Sequence, residues 1–133
     1  MINSSVIIHF DGNGRTYQPG ETLAGEYLID GPLPGDIKAI EVSILWYSEG
    51  KGDEDMAVHD FRRFSPDDGD PIHPAMPNRF ETTLPNSPLS YDGAIVNIRW
   101  CVRVRAFLHY GKDVVGQKRF QLGDISAVEV SES

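Results

Sequence analysis

The sequence predicts an all-β fold, with two antiparallel sheets packed face to face. Three observations point there. In the run from Val96 to Arg105, the apolar residues Val96, Ile98, Trp100, Val102 and Val104 alternate with Asn97, Arg99, Cys101, Arg103 and Arg105. A period of two over ten residues makes a strand with one apolar and one polar face, and the apolar face needs a second sheet to cover it. Turns rich in Pro, Gly, Asn and Asp recur along the chain, and apolar spacing of the helical kind is sustained nowhere for three turns.

The elements follow in order. A first strand is expected at Ser5 to Phe10, closed by Asp11-Gly12-Asn13-Gly14, residues that tolerate positive φ. Tyr17-Gln18-Pro19-Gly20 reads as a type II turn, with proline presetting φ at the second position and glycine accepting φ > 0 at the third. A second strand spans Thr22 to Ile29 and ends at Asp30-Gly31-Pro32-Leu33-Pro34-Gly35. The third, Ile37 to Tyr47, sets Ile40, Val42, Ile44 and Trp46 against Glu41 and Ser43. Ser48 to Asp55, glycine-rich and acidic, is expected to be a loop.

Met56 to Phe64 is a fourth strand whose register the alternation leaves open. Ser65 to Pro77 holds four prolines and three aspartates and is expected to be irregular. Asn78 to Leu84, Ile95 to Tyr110 and Val114 to Leu122 complete about seven strands, the pattern of an immunoglobulin-like sandwich. The tail from Asp124 to Ser133 is expected to fray, or to add an edge strand through Val128 and Val130. The domain reading is one sandwich over 1–133, with an irregular acidic loop region at 48–77 and the frayed tail at 124–133.

Size and composition bound the function. At 133 residues the chain has the length of one domain. No run of roughly 18 apolar residues exists, so no membrane span is expected, and the first ten residues lack the basic start and apolar core of a secretory leader. Cys101 is the sole cysteine, which excludes an internal disulfide and a cysteine-based zinc site and fits a reducing, cytoplasmic setting. A net charge of -8 argues against nucleic acid as a partner. The charge is polarised: Glu49 to Asp70 carries eight carboxylates against three basic residues, and Asn97 to Gln121 six basic residues against one aspartate. Such a molecule suits a complementary protein surface, or a second copy of itself.

Three blocks carry a family resemblance. Tyr17-Gln18-Pro19-Gly20-Glu21-Thr22-Leu23-Ala24-Gly25-Glu26-Tyr27-Leu28 is similar to the amino-terminal pattern of arrestin-type domains. Ile37-Lys38-Ala39-Ile40-Glu41-Val42-Ser43-Ile44 resembles the strand that follows it. Leu84-Pro85-Asn86-Ser87-Pro88-Leu89-Ser90-Tyr91-Asp92-Gly93, continuing into Ile98-Arg99-Trp100-Cys101-Val102-Arg103-Val104, resembles the family's turn and long strand. The resemblance, which includes bacterial single-domain and sporulation-control-like members, implies an arrestin-like sandwich acting as a non-catalytic adaptor or scaffold, without a cofactor. The chain departs from the eukaryotic members in having length for one sandwich rather than two and no Pro-Pro-x-Tyr motif, so receptor desensitisation and ubiquitin recruitment are not carried over.

The candidate contact residues are Arg99, Arg103 and Arg105 on the polar face of the long strand, and His59, Asp67, Asp68, Asp70 and His73 in the acidic region. Guanidinium forks suit a partner's carboxylate or phosphate. Pairing with acids such as Glu41 or Glu81 across strands is the plainer role, each pair contributing roughly 0.2 to 1 kcal/mol. The acidic region lacks calcium-loop spacing, and its histidines stand at no recognised ligand interval, so it reads as a solvated loop and no metal site is expected. Cys101, with Arg99 and Arg103 on its face, has neighbours that lower a thiol pKa. No G-x-S-x-G elbow and no base placed to serve it occur, so no catalytic residue is assigned. A second reading, from another class, is a small-ligand or carbohydrate-binding sandwich using Tyr47, Tyr91 and Tyr110.

Overall fold

A computed structural model describes residues 3–12, 16–52 and 54–123. The strands are β1 (Ser5–Phe10), β2 (Thr16–Tyr17), β3 (Thr22–Asp30), β4 (Ile37–Gly50), β5 (Met56–Phe64), β6 (Asn78–Thr83), β7 (Tyr91–Asp92), β8 (Val96–Leu108) and β9 (Val114–Leu122). They form two sheets, a three-stranded one in the order β1-β3-β6 and a larger one in the order β2-β9-β8-β4-β5, with β7 paired to β8. Every pairing is antiparallel except β2 with β9. No helix among the described residues is long and apolar enough to cross a membrane.

The interior is filled by the apolar phase of each strand. Leu23 and Ile29 of β3, Val42 and Ile44 of β4, and Trp100, Val102 and Val104 of β8 are all buried. Phe10, Tyr17, Phe80, Trp100 and Phe120 interlock at centroid separations of 5.8 to 6.4 Å, most of them edge-on. Edge-on contact suits the ring quadrupole. The Trp100 indole donates to the Pro88 carbonyl at 2.8 Å, so the one polar atom of the largest core side chain is satisfied.

The two long sides of the sandwich differ. Along β1 and β9 the layers are closed: Lys118 Nζ donates to Ile8 O at 3.2 Å, and a side chain at Gly116 would meet Val6. Along β5 and β6 they are open among the described residues, where the smaller sheet ends at β6 and the larger one at β5.

Several expectations are corrected. The Pro-Gly turn is framed one residue later, with Glu21 N–H bonded to Gln18 O at 3.0 Å and Gly20 at φ 88°. Gly93, in the turn before the long strand and expected there to need positive φ like Gly20, does not adopt it. It is held by close approach, since a Cβ there would overlap the Tyr91 ring. Ser48 to Gly50 belong to β4, where pairing with β8 (Gly50 opposite Val96) overrides a glycine-rich, acidic local sequence. The span 48–77 is therefore not irregular throughout, because β5 occupies its middle. Its irregular part, 65–77, is anchored: the Ile29 N–H donates to Pro74 O at 2.7 Å, and Ile72 and Pro74 are buried. The two short strands β2 and β7 join strands the sequence predicts. The expected behaviour of 124–133 lies outside the described residues.

Burial of Tyr27 pushes its phenol from 10.0 up to about 12. The unfolded chain releases that proton near its ordinary value while the folded chain keeps it, so the native state binds more protons in this window and stability falls as pH rises from 10 through about 12. Tyr27→Phe is expected to flatten that part of the pH–stability curve, which equilibrium unfolding in alkaline buffers reads directly.

Candidate interaction surface

The outward face of the larger sheet is built by the phase of β4, β5, β8 and β9 that does not enter the core. The registers place its residues in rows running across β5, β4, β8 and β9. One row is Arg63, Glu41, Arg105 and Val115; the next is Phe61, Ser43, Arg103 and Gln117; the third is Val58, Leu45, Cys101 and Arg119. Met56, Tyr47 and Arg99 begin a fourth. The register of β5 is set by a bulge. Asp60 faces Ile44 and Val58 faces Leu45, which leaves His59 as the extra residue and brings Met56, Val58 and Phe61 onto one face.

This face is half apolar. Met56, Val58, Phe61 and Val115 are exposed by 58, 48, 52 and 44%. Beneath them Leu45 and Cys101, on the polar phase of their strands, are buried. A shallow depression of about 440 Å³ lies over these rows, with Phe61 and Val58 on one side and Arg103 and Val115 on the other.

The arginines differ in what holds them. Arg99 bonds Glu49 at 3.2 Å and lies 3.6 Å from Asp92, and Arg119 shares Glu49 at 3.5 Å. Arg105 is 4.0 Å from Asp113, and its guanidinium lies 5.7 Å from the centre of the Phe107 ring, which Arg63 also meets at 5.7 Å. Glu41, expected as a partner for the β8 arginines, is taken by Arg63 at 2.7 Å, and Glu81 is on the other sheet. Arg103 bonds only the Gln117 amide oxygen, at 3.1 Å, and has no carboxylate within ion-pair distance among the described residues. It stands beside Phe61 in the depression.

The acidic candidates are not gathered into the same surface. Asp70 Oδ2 accepts from Ser65 N–H at 3.0 Å, and Ser65 Oγ accepts from Asp67 N–H at 3.1 Å, so these residues close the short turn around Pro66–Asp68. Asp68 is exposed on that turn, and the His73 carbonyl accepts from Asn78. His59 points the other way, toward the open side of the sandwich. Its Nε2 is 2.8 Å from Thr83 O, and a carbonyl only accepts, so Nε2 carries the proton. Among the described residues no group of three or more His, Cys, Asp or Glu side chains is placed to hold a metal.

Two further expectations change. Cys101 is fully buried, and desolvation pushes its thiol up despite Arg103 and Arg119, so the reactive-thiol environment suggested by its basic neighbours is not formed. Tyr91 pairs with Ile98 near the start of β8, and Tyr110 lies past its far end at Leu108; the strand's 13 residues span roughly 40 Å. Tyr91 and Tyr110 cannot share one ligand with Tyr47. The apolar half of the surface, Met56, Val58 and Phe61, went unassigned in the sequence because alternation alone did not fix the register of β5.

No protein-family model matches the chain, and no curated protein matches it in sequence. Among solved structures, the sporulation control protein Spo0M from Bacillus subtilis superposes on 95% of this chain with a TM-score of 0.64 at 19% identity. The chain spans about half of that protein, 51% of its length. Superoxide reductase (neelaredoxin) from Ignicoccus hospitalis is similar over 92% of this chain and 82% of its own, with a TM-score of 0.53 at 12% identity. At these identities the likeness is one of fold. Spo0M has an arrestin-like fold, so the chain adopts the arrestin-type sandwich its sequence resembles. A fold shared by a control protein and a reductase does not select a function.

Proposed function

We propose that this chain is a non-catalytic protein-interaction module, an adaptor or scaffold, whose contact surface is the outward face of β5-β4-β8-β9. The observation that carries this is Arg103, a guanidinium without a carboxylate partner among the described residues, which lines one depression with Phe61, Val58 and Val115. An exposed apolar strip rimmed by charge is the composition of a recognition patch, with Arg and aromatic residues as its anchors. The fitting partner is a protein segment that presents an acidic side chain next to large apolar ones. Neutral sugars offer Arg103 no negative charge to pair with, and nucleic acid is repelled by the chain's charge of -8.

The test is partner capture by the wild-type chain and by Arg103→Glu/Arg105→Glu. Neither residue makes a short ion pair among the described residues, so the double variant is expected to unfold within about 1 kcal/mol of wild type. Its recovery of specific partners is expected to fall at least tenfold. Unchanged recovery overturns the assignment of this face.

A further inference from the structure

A different feature is the outer edge of β6, which no strand among the described residues pairs with. Leu84 exchanges bonds with the β3 side, donating to Glu21 O at 2.9 Å and accepting from Gly20 N–H at 3.0 Å. Alternation along the strand then turns the N–H and C=O of Thr82, Phe80 and Asn78 toward β3, and those of Thr83, Glu81 and Arg79 outward. The His59 bond to Thr83 O, made from the outer side, agrees with this. A groove of about 440 Å³ follows the whole edge from Arg79 to Thr83, between β6 and the Asp60 and Arg62 side chains of β5. Unpaired strand edges of this kind accept a further strand.

We propose that the occupant is the β6 edge of a second copy, joined antiparallel about a two-fold axis at Phe80 to make a continuous six-stranded sheet across the dimer. Two observations select the second copy and this register. With the axis at Phe80, Arg79 faces the partner's Glu81 and Glu81 faces the partner's Arg79, so the edge is complementary in charge to itself. An axis at Glu81 or at Arg79 would instead set like charges opposite each other, which destabilises. In the Phe80 register Thr83 also faces the partner's Pro77, which has no N–H to give. Thr83 O is the edge carbonyl that His59 of its own chain already satisfies. The remaining outward groups of Arg79 and Glu81 pair in full, four main-chain bonds across the axis. Within its own chain Arg79 bonds Asp11 at 2.6 and 2.8 Å and lies 3.8 Å from Glu26, so in the dimer it stands between these acids and the partner's Glu81.

The experiment is sedimentation of the full chain over a wide concentration range, with three variants. Wild type is expected to dimerise reversibly. Glu81→Arg places arginine against arginine twice and is expected to weaken association by about tenfold or more. Arg79→Glu, all acidic at the edge, is expected to stay monomeric alone, yet to form a heterodimer when mixed with Glu81→Arg. Glu81→Pro removes an outward N–H without touching the β3 ladder and is expected to abolish the dimer, with circular dichroism showing the sandwich retained. A wild-type chain that stays monomeric at every concentration overturns the proposal. So does a dimer that survives Glu81→Arg and Glu81→Pro, because it would use another surface. These substitutions are on the opposite sheet from Arg103, so their outcome is independent of partner capture there.

Discussion

Trp100→Ala is expected to cost about 3 to 5 kcal/mol of stability. The side chain is 1% exposed, packs on Phe120 at 5.8 Å and His59 at 6.1 Å, and donates its indole N–H to Pro88 O. Truncation removes the central plug between the sheets and leaves the Pro88 carbonyl without its donor. Against a total of about 5 to 15 kcal/mol for a domain, this brings the chain close to unfolding at ambient temperature. Urea denaturation followed by circular dichroism reads the loss. A cost under about 1 kcal/mol would contradict a sandwich sealed by this indole.

Leu45→Ala is expected to cost about 2 to 5 kcal/mol, although its position in the β4 alternation marks it as outward. The residue is 1% exposed because Val58 stands opposite it on β5 and Cys101 on β8. A side chain on an ordinary solvated sheet face would cost within about 0.5 kcal/mol on truncation. Such a small value would mean that Met56, Val58 and Phe61 do not form a layer over the sheet, and the recognition surface would lose its apolar half. The same denaturation measurement decides.

The two variants mark what period-two reasoning can and cannot read. The bounds of β1, β5 and β9 follow from alternation because turn residues stand at both ends, as Asp11-Gly12 does after Phe10. The inward phase of β8 follows too, since Trp100, Val102 and Val104 have no competing apolar neighbours on the other face. The same rule set Cys101 among polar residues and could not show that a neighbouring strand covers it. Burial on an outer face depends on which strands pair. That pairing turned on one bulged residue, His59, between Val58 and Asp60. Gly50 likewise looked like loop because its strand character comes from Val96, distant in sequence. In the proposed contact surface, Arg99, Arg103 and Arg105 were legible as one face. Their different partners were not, since Glu49, Asp92 and Asp113 reach them through tertiary geometry. Asp67 and Asp70 were legible as a turn-rich loop, and their backbone bonds to Ser65 show how that loop closes.

Hydroxyl-radical footprinting of the chain, free and bound to a captured partner, tests the recognition surface most directly. Met56 and Phe61 lie on the outward face of β5, whereas Met76 and Tyr110 are comparably or more exposed elsewhere, in the 65–77 loop and beyond the end of β8. Oxidation of Met56 and Phe61 is expected to fall several-fold in the complex while Met76 and Tyr110 keep their rates. Equal labelling of Met56 and Phe61 in the free and bound states, with protection appearing at Met76 instead, would contradict it.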